Sequence, residues 1–133
     1  MGEETKVSVL DRHDLAELPR AGSLVTVLVE IPPHNPGTPP HRHPGPVYGF
    51  VFEGEMVFEL EGDPPRVVKG GETLFELGGD RIHYQAANRT DAWCRFVVVM
   101  AGGPDEPLLT IVDADELDAR RHLRHPAATA APH

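Results

Sequence analysis

The sequence predicts an all-β protein, a single barrel or sandwich of short strands followed by one short helix. The apolar runs are short and rich in β-branched and aromatic residues, and turn signals separate nearly all of them. The composition, with 13 glycines and 14 prolines, is that of a globular chain with many turns. A length of 133 residues suits one domain with a continuous core.

Eight apolar runs are predicted to be strands, at a spacing typical of a barrel or sandwich. They cover residues 7–10, 24–31, 47–52, 56–60, 67–68, 74–77, 93–100 and 108–112. Trp93 and the apolar residues that follow it are expected in the core.

Glu53-Gly54 predicts a tight hairpin between two of these strands. In the second strand, the even-numbered residues 56–60 are apolar and share the predicted core face. Glu59 and Glu61 share the opposite face, which we expect to meet solvent.

Residues 113–133 are predicted to form a short surface helix and a disordered tail, outside a barrel domain of residues 1–112. Asp113 offers an N-cap with Glu116 three residues later. Positive charge near the other end favours the helix dipole, and it comes from Arg120, Arg121 and Arg124. The tail, residues 126–133, is rich in proline and alanine and is expected to be disordered.

Charge and composition exclude several classes of partner. Lys plus Arg number 12 against 21 Asp plus Glu, without a basic stripe, so nucleic acid is not an expected partner. Cys94 is the one cysteine, so no intramolecular disulfide forms, and the N-terminal residues lack the apolar core of a signal peptide. No apolar stretch approaches the roughly 20 residues that span a bilayer. We therefore expect a cytoplasmic protein that binds a small molecule rather than a membrane.

Three histidines are predicted to hold a metal ion. His41 and His43 form an H-x-H pair at the end of a proline-rich stretch, where the chain passes into a strand. Side chains two residues apart on a strand point to the same side of a sheet. His83 follows the turn Gly78-Gly79-Asp80, and from a neighbouring strand it would complete one face of the ion. His13 and His34 are interpreted as ordinary polar residues.

The residues around these histidines resemble the two motifs of the cupin superfamily. The first motif maps onto His41, His43 and Gly54, and the second onto Gly71, Gly79, His83 and Asn88. The sequence departs from the motifs at four places: Asn35 replaces a glycine, Val47 a glutamate and Leu77 a proline, and Asn88 comes late. The resemblance covers residues 24–100 and implies a jelly-roll β-barrel. It also implies a homodimer, with residues 6–10 as a strand that subunits exchange.

Val47 bears on the chemistry that the resemblance implies. In cupins with the full motif the glutamate at this position is a fourth ligand, so the resemblance implies at most a three-histidine site here. Such an ion keeps its full +2 charge and two or three open positions for water, a chelating substrate or dioxygen. Glu76 and Glu72 are candidates to replace the missing carboxylate. Tyr48 and Gln85 are candidates to line the pocket.

The resemblance implies a metal-dependent oxygenase acting on a small chelating molecule, such as a β-dicarbonyl enolate, a catechol or a flavonol. Three-histidine cupins include acetylacetone dioxygenase and cysteine dioxygenase, which use iron, so iron or manganese is preferred here. The residues leave zinc, nickel and copper open. They also leave open an isomerase or hydrolase, a barrel that only binds or senses a ligand, and a barrel whose cavity is a structural remnant.

Overall fold

A computed structural model describes residues 8, 22–103 and 106–130 of the chain. Within these residues the elements follow in the order β1 (Ser23–Ile31), β2 (His41–Arg42), β3 (Val47–Glu53), β4 (Glu55–Leu60), β5 (Arg66–Lys69), β6 (Thr73–Glu76), β7 (His83–Ala87), β8 (Cys94–Gly102), β9 (Thr110–Ile111), α1 (Ala114–Ala119), a 3-10 helix (Arg121–Leu123) and α2 (Pro126–Ala130). The predicted strand at residues 7–10 lies outside the described residues, apart from Ser8. None of the helices in the described part is long and apolar enough to span a membrane.

The strands form two antiparallel sheets, which confirms the all-β prediction. The first sheet has the strand order β1-β8-β3-β6, and the second has the order β5-β4-β7-β2-β9. Alternate side chains of both sheets fill the space between them. This core includes Ile31, Val51, Met56, Phe58, Val68, Phe96 and Val98.

The predicted hairpin at Glu53-Gly54 is wrong, because β3 and β4 belong to different sheets. β3 pairs with β6 and β8, whereas β4 pairs with β5 and β7. Gly54, at φ 74°, carries the chain from one sheet to the other. A Cβ at this position would lie 2.3 Å from the carbonyl oxygen of Trp93, so the crossing requires glycine.

The alternation predicted for β4 is present, but its second face does not meet solvent. Met56, Phe58 and Leu60 are buried in the core as expected. Glu59 and Glu61, predicted to be solvated, are only 0% and 8% exposed. The segment after α1 covers them. Local alternation identifies the two faces of a strand and does not reveal what packs on each face.

The C-terminal residues pack on the second sheet through charge pairs. Asp113 caps α1 as predicted, since its Oδ1 accepts a hydrogen bond from the Glu116 N–H at 2.8 Å. The arginines expected to complement the helix dipole instead bind acidic residues. Arg120 donates to Glu61, and Arg124 donates to both carboxylate oxygens of Glu59 at 2.7 and 2.8 Å.

The disorder predicted for residues 126–133 is wrong for Pro126–Ala130, because these residues form the short helix α2. Proline suits the first position of a helix, and alanine has the highest helix propensity. The His125 Nδ1 accepts a hydrogen bond from the Ala127 N–H at 3.0 Å, which satisfies one donor at the start of the helix. Residues 131–133 lie outside the described part of the chain.

Two strands had no clear sequence signal. β7 contains Gln85-Ala86-Ala87, which lacks β-branched residues, and β2 has only two residues. Both pair centrally in the second sheet, and both carry predicted metal ligands.

Trp93, predicted to be core, is 42% exposed, with the Arg95 guanidinium 4.7 Å above its ring.

Candidate metal centre

The structure brings the three predicted histidines together at one end of the space between the sheets. His41 on β2 is the direct cross-strand partner of His83 on β7, and His43 follows two residues after His41. All three side chains are buried. Each offers one ring nitrogen within 4.8 Å of the other two, and the Nε2 atoms of His41 and His43 are 3.0 Å apart.

Backbone carbonyls fix the tautomer of each ring. The contacts join His41 Nδ1 to Pro39 O at 2.8 Å, His43 Nδ1 to Leu108 O at 2.9 Å, and His83 Nε2 to Gln85 O at 3.0 Å. A carbonyl oxygen only accepts, so the ring nitrogen in each contact must carry the hydrogen. A neutral imidazole has one N–H, so the second nitrogen of each ring faces the centre with a bare lone pair. These are the orientations that metal-binding histidines take.

The charge state of His41 makes this convergence significant. Burial is the largest cause that lowers its pKa, the neighbouring His83 lowers it further, and the result is about 4. His41 is therefore neutral at pH 7. Two bare lone pairs at 3.0 Å repel each other, so the arrangement needs a positive charge between the rings, either a proton or a metal ion.

Glu76 adds a carboxylate to the cluster. It stands directly opposite Val47 in the ladder between β3 and β6, and it is 5% exposed. Its Oε2 lies 3.2 Å from the His83 Nδ1 and 3.6 Å from the His43 Nε2. The His83 Nδ1 is buried and has no hydrogen-bond partner, since its hydrogen is on Nε2 and a carboxylate only accepts.

Glu76 is ionised at neutral pH. Burial raises the pKa of its carboxyl group. The pKa is lowered by more than this by a hydrogen bond from His83 when that ring is protonated, and then by the charges of protonated His83, His43 and His41. A divalent cation would act in the same direction.

The separations between these donor atoms fit one metal ion. With metal–ligand bonds of about 2.1 Å, ligand atoms lie about 3.0 Å apart at right angles and about 3.4 Å apart at tetrahedral angles. Three distances among the Nε2 atoms, Nδ1 and Oε2, 3.0, 3.2 and 3.6 Å, are close to these values, and the three histidine nitrogens all lie within 4.8 Å of one another. Three imidazoles and one carboxylate are a donor set that suits iron, manganese and zinc. The residues present therefore fit the ion that the sequence predicts.

The other predicted site residues lie elsewhere. Glu72 is exposed, and its Oε1 accepts a hydrogen bond from the Lys69 N–H at 2.7 Å in the turn before β6. Tyr48 follows Val47 on β3, so its side chain lies on the opposite face of the sheet, outside the cavity. There its ring packs edge-on against Phe75, with 5.8 Å between ring centroids. Those two candidates are therefore outside the site.

Gln85 contributes through its backbone rather than its side chain. The side-chain amide donates to Glu59 at 2.8 Å, on the opposite face of β7 from the histidines. His34 is exposed and contacts Asp91 at 2.5 Å, in agreement with the polar role expected for it. His13 is outside the described residues.

The cluster lies in a cavity of about 420 Å³ with apolar walls. Its apolar lining comprises Val27, Val29, Ile31, Val47, Met56, Phe58, Leu74, Ala86, Phe96, Val98, Met100 and Leu109. The exposed residues Thr38 and Pro39 also line it. Six of the apolar wall residues, Val27, Val29, Ile31, Phe96, Val98 and Met100, come from alternate positions of β1 and β8, so alternation was the signal that could have identified them.

Arg42, which separates the two histidines of the pair, anchors β2 from outside. Its guanidinium donates to Glu116 Oε1 on α1 at 2.9 Å and to the carbonyl of Asp80 at 2.8 Å. The second contact holds the turn that precedes His83. The helix is therefore part of the support of the histidine cluster, a role that the sequence did not reveal.

Asn88 of the second motif is structural. Its Nδ2 lies within 3.0 Å of the carbonyls of Ile31, Pro32 and Ala92, and its Oδ1 accepts from Thr90. It therefore ties the end of β1 and the start of the proline-rich loop to the loop after β7.

Among solved structures, three similar chains are enzymes. DMSP lyase DddQ from Ruegeria pomeroyi DSS-3 is 28% identical with a TM-score of 0.57, and the match covers 68% of this chain and 43% of that one. Oxalate oxidase in complex with the substrate analogue glycolate is 25% identical with a TM-score of 0.55, covering 80% and 59%. The polyketide cyclase RemF from Streptomyces resistomycificus is 25% identical with a TM-score of 0.55, covering 83% and 73%. The chain thus spans only 43% and 59% of the first two.

No curated protein matches the sequence. The family model described as a cupin domain matches residues 27–100, which is more than half of the 133 residues and includes all three histidines. With two facing antiparallel sheets and a histidine cluster between them, this chain belongs to the cupin family.

Proposed function

We propose that this cupin binds a divalent metal ion through His41, His43, His83 and Glu76, and that it is an enzyme acting on a small chelating molecule. The observation that carries the proposal is the convergence of three bare imidazole nitrogens and one carboxylate, all on buried side chains, in the lining of an apolar cavity. Polar groups are rarely buried in this way without a partner.

The protein groups have separate roles in this proposal. The ion, when bound, supplies Lewis acidity and open coordination positions for substrate. The carbonyls of Pro39, Leu108 and Gln85 hold the imidazoles in the ligating tautomer. The apolar walls keep water away from the bound substrate. With Glu76 as a fourth ligand, the ion and its ligands carry a net charge of +1. The sequence alone predicts +2, because Val47 replaces the glutamate ligand of the motif.

A dioxygenase is the first reaction class that we propose. Four protein ligands leave two positions on a six-coordinate iron or manganese ion, and a chelating substrate or dioxygen can occupy them. A dioxygenase places both atoms of one O₂ molecule in its product, so it consumes one O₂ for each substrate and needs no external reductant. An oxidase is among the similar structures.

A reaction without oxygen is the second candidate, and Glu76 is the observation that favours it. In this second candidate Glu76 acts as a base rather than as a ligand, because an ionised carboxylate next to a Lewis acid can take a proton from the substrate. Isomerases and hydrolases use this combination, and the similar structures include a lyase and a cyclase. Zinc would suffice for such a reaction.

Elemental analysis of untagged protein tests the metal site. We expect about one metal ion per chain in the wild type, loss of the metal in His41→Ala and His83→Ala, and full retention in His34→Ala. His34 is the matched control because it is exposed and lies away from the cluster. Wild-type protein that binds no iron, manganese or zinc would contradict the proposal.

Oxygen consumption then separates the reaction classes. The metal-loaded protein is supplied with β-dicarbonyls, catechols, flavonols and small thiols in an oxygen-electrode cell. Uptake of one O₂ per substrate supports the dioxygenase. Substrate conversion without O₂ uptake supports the second candidate. Bound metal without any conversion supports a barrel that only binds or senses its ligand.

A further inference from the structure

Few ionisable side chains are among the described residues that line the cavity. They are the three histidines and Glu76, which form the cluster, and Glu30 on β1, which contacts Arg95. No lysine or arginine is among the described residues that line the cavity. The nearby Arg42 points away from it, toward α1. A ligand in this cavity therefore meets no cationic side chain beyond the metal site.

The charge of the site limits the charge of the ligand. A divalent ion and the ionised Glu76 leave a net charge of +1, which one negative charge on a chelating ligand neutralises. A dianionic chelator would leave the complex with a net charge of −1 between apolar walls that carry no compensating cation. Burial of an unpaired charge in such surroundings is strongly unfavourable.

The size and walls of the cavity indicate the rest of the ligand. A volume of about 420 Å³ is much larger than a two-carbon acid needs and lies within the range of about 300–1,000 Å³ that is typical of drug-sized ligands. Val29, Phe96, Val98 and Met100 line it. These side chains favour an aromatic or aliphatic body, because its burial removes apolar surface from water.

We propose that the cavity takes a monoanionic bidentate chelator with an apolar body and rejects small dianions such as oxalate or malonate. The inference rests on the proposed metal site and adds the class of its ligand. The chelating oxygens lie at the histidine cluster, and the apolar body lies along Phe96 and Val98.

Calorimetric titration of the manganese-loaded full chain tests this inference with three probes. Benzoylacetone, acetylacetone and malonate all chelate through a six-membered ring. Benzoylacetone differs from acetylacetone by a phenyl group that replaces a methyl group. The difference between their affinities therefore measures the contribution of the apolar walls. We expect benzoylacetone to bind at least about tenfold more tightly, because the phenyl group is buried. Malonate is expected to bind more weakly than acetylacetone.

A pair of variants tests the charge argument independently of the intrinsic strength of each chelator. Met100→Lys adds a cation at a partly buried lining position, and Val67→Lys adds the same charge on β5, outside the cavity. The affinity ratio of malonate to acetylacetone should rise at least about tenfold in the first variant and stay unchanged in the second. Val29→Lys, at a lining position on the edge strand β1, replaces Met100→Lys if that variant does not fold.

The outcomes separate this inference from the proposed function. Metal content is measured on the same samples, and absence of metal would overturn both. If metal is bound but benzoylacetone binds no more tightly than acetylacetone, the inference is overturned and the metal site stands. The same holds if metal is bound and malonate binds as tightly as acetylacetone.

Discussion

At the scale of single residues, the position of Glu76 explains how the site has a carboxylate although Val47 occupies the motif position. The two residues are direct partners in the ladder between β3 and β6. Side chains of directly opposite residues point to the same face of a sheet, so a carboxylate from either strand reaches the same end of the cavity. The sequence suggested Glu76 and Glu72 together, because the register of β6 with β3 is not a local property of the chain.

Glu76→Gln should weaken metal binding, because the amide keeps the shape of the carboxylate and loses its charge. We expect the dissociation constant to rise about 100-fold or more, since changes in groups that only support a ligand already cost about 10–100-fold. Glu72→Gln is the control, and its affinity should not change. Equal affinities of the two variants in a competition titration with a chromophoric chelator would show that Glu76 is not a ligand.

Acidification should destabilise the metal-free protein through His41. Its pKa is lowered from 6.5 to about 4, so between these values the unfolded chain binds more protons than the folded chain. The stability that neutral His41 provides is thus complete above pH 6.5 and is lost as the pH falls toward 4. We expect about 2–3 kcal/mol less free energy of unfolding at pH 4.5 than at pH 7 from this residue.

Urea denaturation of the wild type and His41→Gln at both pH values measures this effect. The loss between pH 7 and 4.5 should be smaller in the variant by about 2–3 kcal/mol. Ionised Glu76 also gives stability that is lost on acidification. Because its pKa is lowered from 4.5, that stability is lost only below pH 4.5. Identical pH dependence of the two proteins would contradict the assignment of a neutral, buried His41.

At the scale of elements, the segment after α1 explains why two acidic residues of β4 are buried. Arg124 pairs with Glu59, and Arg120 pairs with Glu61. The partners are about 60 residues apart in sequence, so alternation in β4 predicted the correct face but the wrong surroundings. The helix cap at Asp113 was predictable because capping depends on residues within one turn.

Arg124→Ala should strongly destabilise the fold, because it leaves the carboxylate of Glu59 buried without its cation. Breaking such a pair costs about 3–5 kcal/mol. Arg121→Ala is the matched control, since Arg121 is 78% exposed and its one ion pair within the described part of the chain is with Asp118, at 3.5 Å. Arg121→Ala should lower the free energy of unfolding by about 0.5 kcal/mol or less. Similar midpoints of urea unfolding for the two variants would disprove a structural role for the Arg124 pair.

At the scale of the whole molecule, the barrel was predictable and its topology was not. Short β-branched runs and glycine turns specify strands and their ends, so the residues of β1, β3, β4 and β8 were identified. Pairing depends on contacts between distant strands. The crossing at Gly54 therefore appeared in the sequence as a hairpin, and β7 had no signal although it carries His83.

The homodimer expected from the sequence stays a prediction, and the outer face of the first sheet is the surface that a second copy would cover. Leu24, Leu28 and Val99 are 78%, 53% and 41% exposed on this face. The four strands have 9, 9, 7 and 4 residues, so at about 3.3 Å per residue and about 4.8 Å between strands they project roughly 460 Å² before side-chain relief, which is more than half of the roughly 800 Å² per partner of a standard interface. The opposite sheet is covered by its own C-terminal segment.

Sedimentation at micromolar concentration should therefore find a dimer for the wild type and a monomer for Leu28→Asp, which places a charge in the centre of the contact. Leu123→Asp, at a residue 44% exposed in the 3-10 helix, should remain dimeric. A monomeric wild type would contradict the prediction.

The most direct test of the metal centre is anomalous X-ray diffraction from crystals of the manganese- or iron-loaded protein. We expect one strong peak about 2.0–2.2 Å from His41 Nε2, His43 Nε2, His83 Nδ1 and Glu76 Oε2. The use of Nδ1 by His83 and Nε2 by the other two follows from the carbonyl contacts of the three rings. A peak elsewhere, or an ion bound by His83 through Nε2 with Glu76 turned away, would contradict it.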